Sequence, residues 1–228
     1  MKKPVVDYRS FRLKKLNAPE YSHLKYLFGW VGYFILYFIT ENFIPVEACH
    51  PIHIGLDDLI PFCEYFLIPY VFWYLLIVFT LVWFALYQPE GFKRFMTFII
   101  VTQVTAMAVY IIYPSRQDLR PAEFARDNIL TKLMGVIYAF DTNTGVFPSL
   151  HVAYSIGIAS AWLKEKLVSR GWKVFVVIAA VLISLSTAFV KQHSIADAFA
   201  AIPVCILAEC IAYGKHYWRP KMPARKHL

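Results

Sequence analysis

A histidine and an aspartate late in the sequence are spaced so that they could act together. His193 and Asp197 are four residues apart, so on a helix they would share one face and lie within reach of each other. A carboxylate that accepts from one imidazole nitrogen fixes the tautomer and makes the other nitrogen a better nucleophile. Lys191, two residues earlier, adds a positive charge that could bind an anion. The alternative is a helix cap or a buried ion pair without chemistry.

A second group of polar residues stands where another helix is predicted to begin. Pro148 suits the first turn of a helix, because its missing N–H is not needed there. The unpaired N–H groups of that turn and the helix dipole favour an anion. Ser149 could then donate to a phosphate oxygen, and His151 could protonate a leaving group. The alternative is that Ser149 only caps the helix and that His151 is an interfacial polar residue.

Two arginines complete the set of candidate phosphate ligands. Arg116 and Arg120 lie one turn apart if their segment is helical, and they carry the forked donors that match phosphate oxygens. Two histidines and an aspartate could also hold a divalent metal ion. Cationic side chains in the same cluster would repel a metal and suit a phosphate, and no HExxH or DxD-like spacing is present. We therefore predict a phosphate site with no metal and no cofactor.

The elements that must position these residues are strongly apolar. Of the 228 residues, 59% are hydrophobic and 17% are charged, which excludes disordered, collagen-like and coiled-coil classes. Residues 65–87, 95–115 and 174–190 contain no charged side chain. Each run is close to the roughly 20 residues that a helix needs to cross a membrane. The sequence therefore predicts an all-α integral membrane protein.

Six membrane-spanning helices are predicted in a single domain over residues 1–228, with an N-terminal segment at 1–23 and a tail at 215–228. The loop between the third and fourth spans contains Leu130, Leu133, Met134 and Ile137 at helical spacing, which indicates an amphipathic helix. The loop at 47–65 between the first two spans is acidic and partly apolar, and it is expected to lie along the membrane surface. The predicted spans cover about 24–46, 66–87, 94–113, 148–164, 172–190 and 193–214.

The distribution of basic residues predicts the orientation of these spans. Eighteen of the 23 Lys and Arg residues lie in the N-terminal segment, in two alternate connections and in the tail, and five lie on the other side. The positive-inside bias then places both termini in the cytoplasm of a multi-pass cell-membrane protein. All the candidate site residues fall at the extracytoplasmic ends of the third, fourth and sixth spans. Basic residues that flank spans do not form a nucleic-acid surface, so no nucleic-acid partner is predicted.

Three motifs resemble those of the type 2 phosphatidic acid phosphatase superfamily, and most closely its branch near the inositol phosphorylceramide synthases. The superfamily motifs are Lys-x6-Arg-Pro, Pro-Ser-Gly-His and Ser-Arg-x5-His-x3-Asp. Their counterparts here are YPSRQDLRP at residues 113–121, PSLH at 148–151, and the segment 186–197 that begins Ser-Thr and ends His-x3-Asp. The order and spacing of the three motifs agree with the family.

The resemblance implies a role for each matched residue. His193 would be the nucleophile that takes the phosphoryl group, Asp197 would orient it, and His151 would protonate the leaving oxygen and later activate the acceptor. The family needs no metal. The phosphate would be held by Arg120, Ser149 and the backbone N–H groups near Leu150 and His151.

The chain departs from the family motifs at three positions. Tyr113 stands in place of the first Lys, Leu150 in place of Gly and Thr187 in place of Arg. Two cations of the usual set are therefore missing. Our hypothesis is that Lys191 and Arg116 supply the missing charge from neighbouring positions.

The resemblance implies a metal-independent lipid phosphate phosphatase that forms a phosphohistidine at the outer leaflet. Its expected partners are the bilayer and a lipid phosphate, such as phosphatidic acid, phosphatidylglycerol phosphate or a polyprenyl diphosphate. One alternative is a lipid phosphotransferase that moves a headgroup, as inositol phosphorylceramide and sphingomyelin synthases do. A more distant alternative is an anion transporter, because six helices could also place His, Asp and Arg in a cavity. The sequence predicts no oligomeric state.

Overall fold

The computed structural model describes residues 4–218, without the side chains at 215 and 216. Within this part of the chain the backbone forms α-helices, short 3-10 turns and one pair of very short parallel strands. The all-α class is therefore confirmed. The helices are α1 (Phe28–Phe43), α2 (Gly55–Leu59), α3 (Leu67–Tyr87), α4 (Pro89–Ile112), α5 (Ile129–Phe140), α6 (Leu150–Lys164), α7 (Arg170–Phe189) and α8 (Ile195–Tyr213), and the strands are β1 (His50–Pro51) and β2 (Ser115–Arg116).

Four of the helices are long and apolar enough to cross a membrane: α3 with the turn before it, α4, α7 and α8. Their outward-facing side chains are largely apolar, as Leu75 and Ile68 show with exposed fractions of 66% and 61%. Helices α1 and α6 lie where the first and fourth spans were predicted, but they have 16 and 15 residues. Both are therefore shorter than the roughly 20 residues of a full span.

The core of the bundle lies between α4, α6 and α8. Phe95, Phe98 and Ile99 on α4 are completely buried in it. Helix α6 approaches α4 closely because Gly157 has no side chain, and a Cβ there would lie 2.6 Å from Cε1 of Phe98. This close packing fixes α6 beside α4 and α8, so that α6 and α8 begin at the same end of the bundle. We call this end, where α3, α6 and α8 begin, the site end.

The loop between α1 and α3 folds over the site end and does not simply follow a membrane surface. Strand β1 pairs with β2, and the His50 N–H donates to the Pro114 carbonyl at 2.8 Å. Helix α2 then carries Asp57 to the start of α8, where the carboxylate is 2% exposed. Buried backbone and carboxylate groups need hydrogen-bond partners, and the start of α8 supplies them.

The amphipathic helix predicted between the third and fourth spans is confirmed as α5. Asn128 caps it, because its side chain accepts from the N–H groups of Leu130 and Thr131. Leu130 and Met134 pack toward the protein, whereas Leu133 is 49% exposed. The helix therefore covers the site end with one apolar face.

The opposite end of the bundle is closed by the N-terminal segment. The N–H groups of Val5 and Val6 donate to the Leu86 carbonyl, and the Tyr8 hydroxyl donates to the Ala85 carbonyl at 2.9 Å. Buried His23 also contacts the Tyr8 hydroxyl at 2.5 Å. The segment predicted at 1–23 is thus packed against the helices from residue 5 onward. Most of the predicted tail, from residue 219, lies outside the described residues.

Candidate active site

His193 and Asp197 are in contact, but the helix does not bring them together in the way that their spacing predicts. Nδ1 of His193 lies 3.1 Å from Oδ2 of Asp197, and the aspartate is fully buried. Helix α8 begins only at Ile195, with Ser194 as its cap, so His193 lies in the turn before the helix. Oδ2 of Asp197 also accepts from the Ser194 N–H at 2.9 Å. The Asp197 carboxylate therefore completes the cap of α8 together with Ser194 and also holds the His193 ring. The capping role and the role of holding the imidazole, which were alternatives for this pair, thus occur together.

The backbone on either side of His193 is fixed by the end of α7. The N–H groups of Gln192 and His193 both donate to the Thr187 carbonyl, at 2.9 and 3.1 Å. Lys191 has a φ of 54°, a left-handed conformation that is uncommon for a residue with a side chain. Thr187, at the position of the missing motif arginine, is 1% exposed. The end of α7 therefore fixes the backbone of the turn that carries His193.

The second motif begins α6 directly beside the start of α8. Ser149 is the cap, and its hydroxyl oxygen accepts from the Val152 N–H at 3.4 Å. Pro148 therefore precedes the cap and is not in the first turn, which corrects the prediction for that residue. The Ser149 N–H donates to the Asp197 carbonyl at 3.1 Å. This hydrogen bond joins the two helix starts that carry the histidines.

His151 lies between aromatic rings and faces the other histidine. Its ring stacks on Tyr70 with centroids 4.8 Å apart, and it lies 4.6 Å from Trp73. The rings of His151 and His193 meet edge to face at 5.8 Å. Among the described residues, neither Nε2 of His151 nor Oδ1 of Asp197 has a hydrogen-bond partner, although both atoms are buried. An unpaired buried polar atom costs about 1–3 kcal/mol, so it requires an explanation.

A cavity of about 520 Å³ opens beside the two histidines. It extends from the site end along α1 and α3. Among the lining residues in the described part of the chain there is no Lys or Arg. The residues that line its polar end are Asp141, Thr142, Thr144, Leu150, His151, Gln192 and His193.

Two of the predicted phosphate ligands are engaged elsewhere. Arg116 lies in β2 and not in a helix, and its guanidinium pairs with Asp118 at 3.0 Å and donates to the Val46 carbonyl. Nζ of Lys191 donates to the Asp57 carbonyl at 2.9 Å, and burial lowers the pKa of this amine. Ser149 is fully buried in its capping role and does not line the cavity. Of the predicted phosphate set, only Leu150 lines the cavity.

Arg120 lies one layer behind the cavity wall. Its guanidinium donates to the side-chain oxygen of Gln192 at 2.6 Å and stacks 4.6 Å above the Tyr138 ring. It also donates to the carbonyls of Tyr138, Asp141 and Thr142 at 3.1, 2.9 and 2.8 Å. Burial lowers the pKa of Arg120. Arg120 thus orders the segment after α5 and the residue that precedes His193, and its buried Nε has no partner within residues 4–218.

Asp141, which was not predicted from the sequence, lines the cavity beside the histidines. Its Oδ2 accepts from the Gln192 side-chain amide at 3.0 Å. Burial raises the pKa of Asp141, and the nearby His193 and Arg120 partly oppose that rise. A single acidic residue ten positions before His151 gave no spacing signal, because it reaches the site only through the fold of the loop.

Asp57 was missed as well, although it holds the start of α8. Its two carboxylate oxygens accept from the Ser194 hydroxyl at 2.6 Å, the Ile195 N–H at 2.8 Å and the Ile54 N–H at 2.9 Å. Its neighbour Asp58 is exposed and pairs with His53. The two adjacent aspartates look equivalent in sequence, so only the structure distinguishes the buried one.

No group of three or more His, Cys, Asp and Glu side chains that could hold a metal ion occurs in the part of the chain that the structure describes. The site thus consists of two facing histidines, one paired carboxylate and a second carboxylate at the edge of an apolar cavity. Comparison of the chain with family models, with curated proteins and with solved structures finds no match.

Proposed function

We propose that this protein is a membrane-embedded, metal-independent lipid phosphate phosphatase that acts through a phosphohistidine. One observation carries the proposal: an imidazole held by a buried carboxylate at 3.1 Å faces a second imidazole 5.8 Å away at the end of a cavity. A nucleophile, its orienting group and a candidate acid are the parts that phosphoryl transfer through a covalent intermediate requires.

The hydrogen bond to Asp197 supports the role of nucleophile for His193. With its Nδ1 proton donated to the carboxylate, His193 has a lone pair on Nε2 that attacks phosphorus. The bond from phosphorus to the lipid oxygen breaks, and His151 gives its proton to that oxygen. Water then attacks the phosphohistidine, His151 takes a proton from the water, and inorganic phosphate leaves. The cycle consumes one water and returns both histidines to their starting forms.

The phosphate would lie at the start of α6, where the first N–H groups of a helix have no carbonyl partner within the helix. Leu150 and His151 occupy this position on the cavity wall. Arg120 is the cation that donates to the side chain of Gln192, the residue before His193. For Arg120 to bind the phosphate directly, it would exchange one of its loop carbonyl partners for a phosphate oxygen. We retain Arg116 and Lys191 only as sources of longer-range charge.

The orientation in the membrane is part of the proposal. Six spans are supported by four helices of membrane length and by α1 and α6 at the remaining predicted positions. The excess of Lys and Arg in the N-terminal segment, two alternate connections and the tail supports cytoplasmic termini. The site end would then face the outer leaflet, where a lipid phosphate can reach His193 with its chains still in the bilayer.

The proposal is tested with purified protein and a panel of lipid phosphates. Wild type should release phosphate equally well with and without a chelator, and His193→Ala should release none. Brief exposure to substrate labelled in the phosphate should label wild type but not the variant. The rate should show a bell-shaped pH profile, because the proposed mechanism needs one histidine as a neutral nucleophile and the other as a protonated acid. A fully active His193→Ala protein would refute the mechanism.

A lipid phosphotransferase is the second candidate, and Asp141 is the observation that favours it. This carboxylate lines the cavity beside His193, where it could accept a hydrogen bond from an acceptor hydroxyl in place of water. Assays with and without a lipid alcohol separate the two functions. Phosphate release without any alcohol supports the phosphatase, and strict dependence on the alcohol supports the transferase.

A further inference from the structure

The cavity beside the histidines continues far beyond the space that a phosphate needs. On one wall its lining runs from Tyr37 on α1 to Leu27, just before that helix, and on the other along α3 from Trp73 to Leu81. The walls span ten and eight residues, or about 12 to 15 Å at 1.5 Å per residue. The hydrocarbon core of a bilayer is about 30 Å thick, so this length matches one leaflet.

The chemistry of the walls changes along this length. Carboxylate, amide and threonine groups lie only near the histidines, and the remainder of the lining is aromatic and aliphatic. The cavity also reaches the flank of the bundle, because the lining residues Phe34, Tyr74 and Val78 have exposed fractions of 58%, 50% and 57%. The flank between α1 and α3 is therefore an apolar groove that begins at the two histidines.

We propose that this groove holds one hydrocarbon chain of the lipid substrate along its full length while the phosphate lies at His193. The inference rests on the proposed function and adds to it that the enzyme selects substrates by chain length. The groove and the catalytic pair belong to one continuous cavity. The chain of a lipid whose phosphate lies at His193 would therefore extend into the groove. A chain can enter from the flank without leaving the hydrocarbon of the bilayer.

The groove predicts a measurable dependence on chain length. For alkyl phosphates that are monomeric in water, each methylene that enters the groove should raise kcat/KM by up to about fourfold. The rise should end once the chain spans the distance to Leu81. Val78 lies on the wall short of that end, so Val78→Phe should stop the rise at a shorter chain than in the wild type.

The chain provides a matched control on the same helix. Val71 is also exposed, at 42%, but it does not line the cavity. Val71→Phe should therefore keep the chain-length dependence of the wild type. We would measure kcat/KM for butyl, hexyl, octyl and decyl phosphate below their micelle-forming concentrations, with all three proteins. Equal profiles for Val78→Phe and wild type, or a flat wild-type profile, would overturn the proposal.

A binding measurement separates the groove from the proposed function. Trp30 and Trp73 line the cavity, so a decyl phosphate brominated along its chain should quench their fluorescence. Val78→Phe should weaken this quenching, whereas the control variant Val71→Phe should not. If butyl phosphate is hydrolysed but the chain causes no such quenching, the groove is wrong and the phosphatase stands. If no phosphate ester is hydrolysed but quenching depends on Val78, the phosphatase is wrong and the groove stands.

Discussion

A cavity lies at each of the two ends of the helix bundle, and the ionisable side chains beside the two cavities differ in their hydrogen-bond partners. At the opposite end, a cavity of about 710 Å³ is lined by Ser160, Lys164 and Glu209 among others. Nζ of Lys164 lies 2.6 Å from the Glu209 carboxylate, which also accepts from the Ser160 hydroxyl and the Trp218 ring N–H. Within the described part of the chain, the two charged residues that line this cavity pair with each other, although the Tyr213 hydroxyl and the Trp172 ring nitrogen at this end are buried without partners.

At the site end the fold leaves polar atoms without partners. Nε2 of His151 and Oδ1 of Asp197 are buried and unpaired among the described residues. Buried polar groups in folded proteins are nearly always hydrogen-bonded, so each exception carries a cost that packing does not recover. The cavity at the opposite end borders paired charges, whereas the cavity at the site end borders His151, whose Nε2 has no partner. Among the described residues, the buried imidazole, carboxylate and guanidinium atoms without partners all lie at the site end, so the two ends differ in how their ionisable groups are paired.

The largest effect is expected for His193→Ala. Removal of the nucleophile should reduce phosphate release on the order of 10⁴-fold or more. The protein should stay folded, because the remaining Asp197 still caps α8. We would measure phosphate release and labelling of the protein by substrate. A loss smaller than tenfold would mean that the unpaired atoms at the site end serve another purpose.

Asp197→Asn should have the next largest effect. The amide oxygen can still cap α8, but it binds the His193 Nδ1 proton without a negative charge and can hold the wrong tautomer. We expect kcat to fall by about 10²- to 10⁴-fold. The thermal unfolding temperature serves as the control for folding. If the variant loses stability but its folded fraction keeps the kcat of the wild type, Asp197 acts only as a helix cap.

Asp57→Asn tests whether the loop after α1 positions the catalytic turn. The substitution weakens the hydrogen bonds to Ser194 and Ile195, which adjoin His193. Small displacements of a catalytic group can cost about 100-fold in rate, so we expect kcat to fall by about 10- to 100-fold with KM little changed. Asp58→Asn, on the exposed neighbour, should stay within about twofold of wild type. Equal kcat values for the two variants would contradict this role.

The smallest effect on activity is expected at the opposite end. Glu209→Gln leaves Lys164 partly buried without a counter-charge, which should destabilise the protein by about 1–3 kcal/mol and leave kcat unchanged. The double variant Lys164→Met with Glu209→Leu should recover much of that stability, since an apolar pair of similar volume can replace a buried ion pair. Thermal unfolding and kcat are measured for both. A large decrease in kcat in either variant would contradict the prediction that only the site end takes part in the reaction.

The sequence predicted the helices well because hydropathy and helical spacing are local properties. The uncharged run at 65–87 corresponds to α3 and the turn before it. Leu130, Met134 and Ile137, which have helical spacing, form the inward face of α5. The pairing of His193 with Asp197 was predicted from four-residue spacing and was correct, although the turn before α8 produces it. Local periodicity indicates which residues are close, but not which element brings them together.

The positions of the charged side chains were much less predictable. Arg116 and Lys191 stand beside the motifs in sequence, but their partners are Asp118 and the Asp57 carbonyl. Arg120 is surrounded by carbonyl groups of the segment after α5, whose path depends on tertiary packing. Long, flexible side chains take the partners that the distant chain offers, and no spacing rule in one segment encodes those partners.

The hydrogen bonds of Asp57 also set an order for building this protein. Asp57 is synthesised 137 residues before Ser194, its partner in the finished molecule. Until α8 is made and docked, that carboxylate has none of its α8 partners, and Asp197 is not in place to contact the His193 ring. Chains fold as they emerge from the N-terminus, so an incomplete chain has no assembled site. The proposed active site therefore forms last, only after the loop that follows α1 and helix α8 have met.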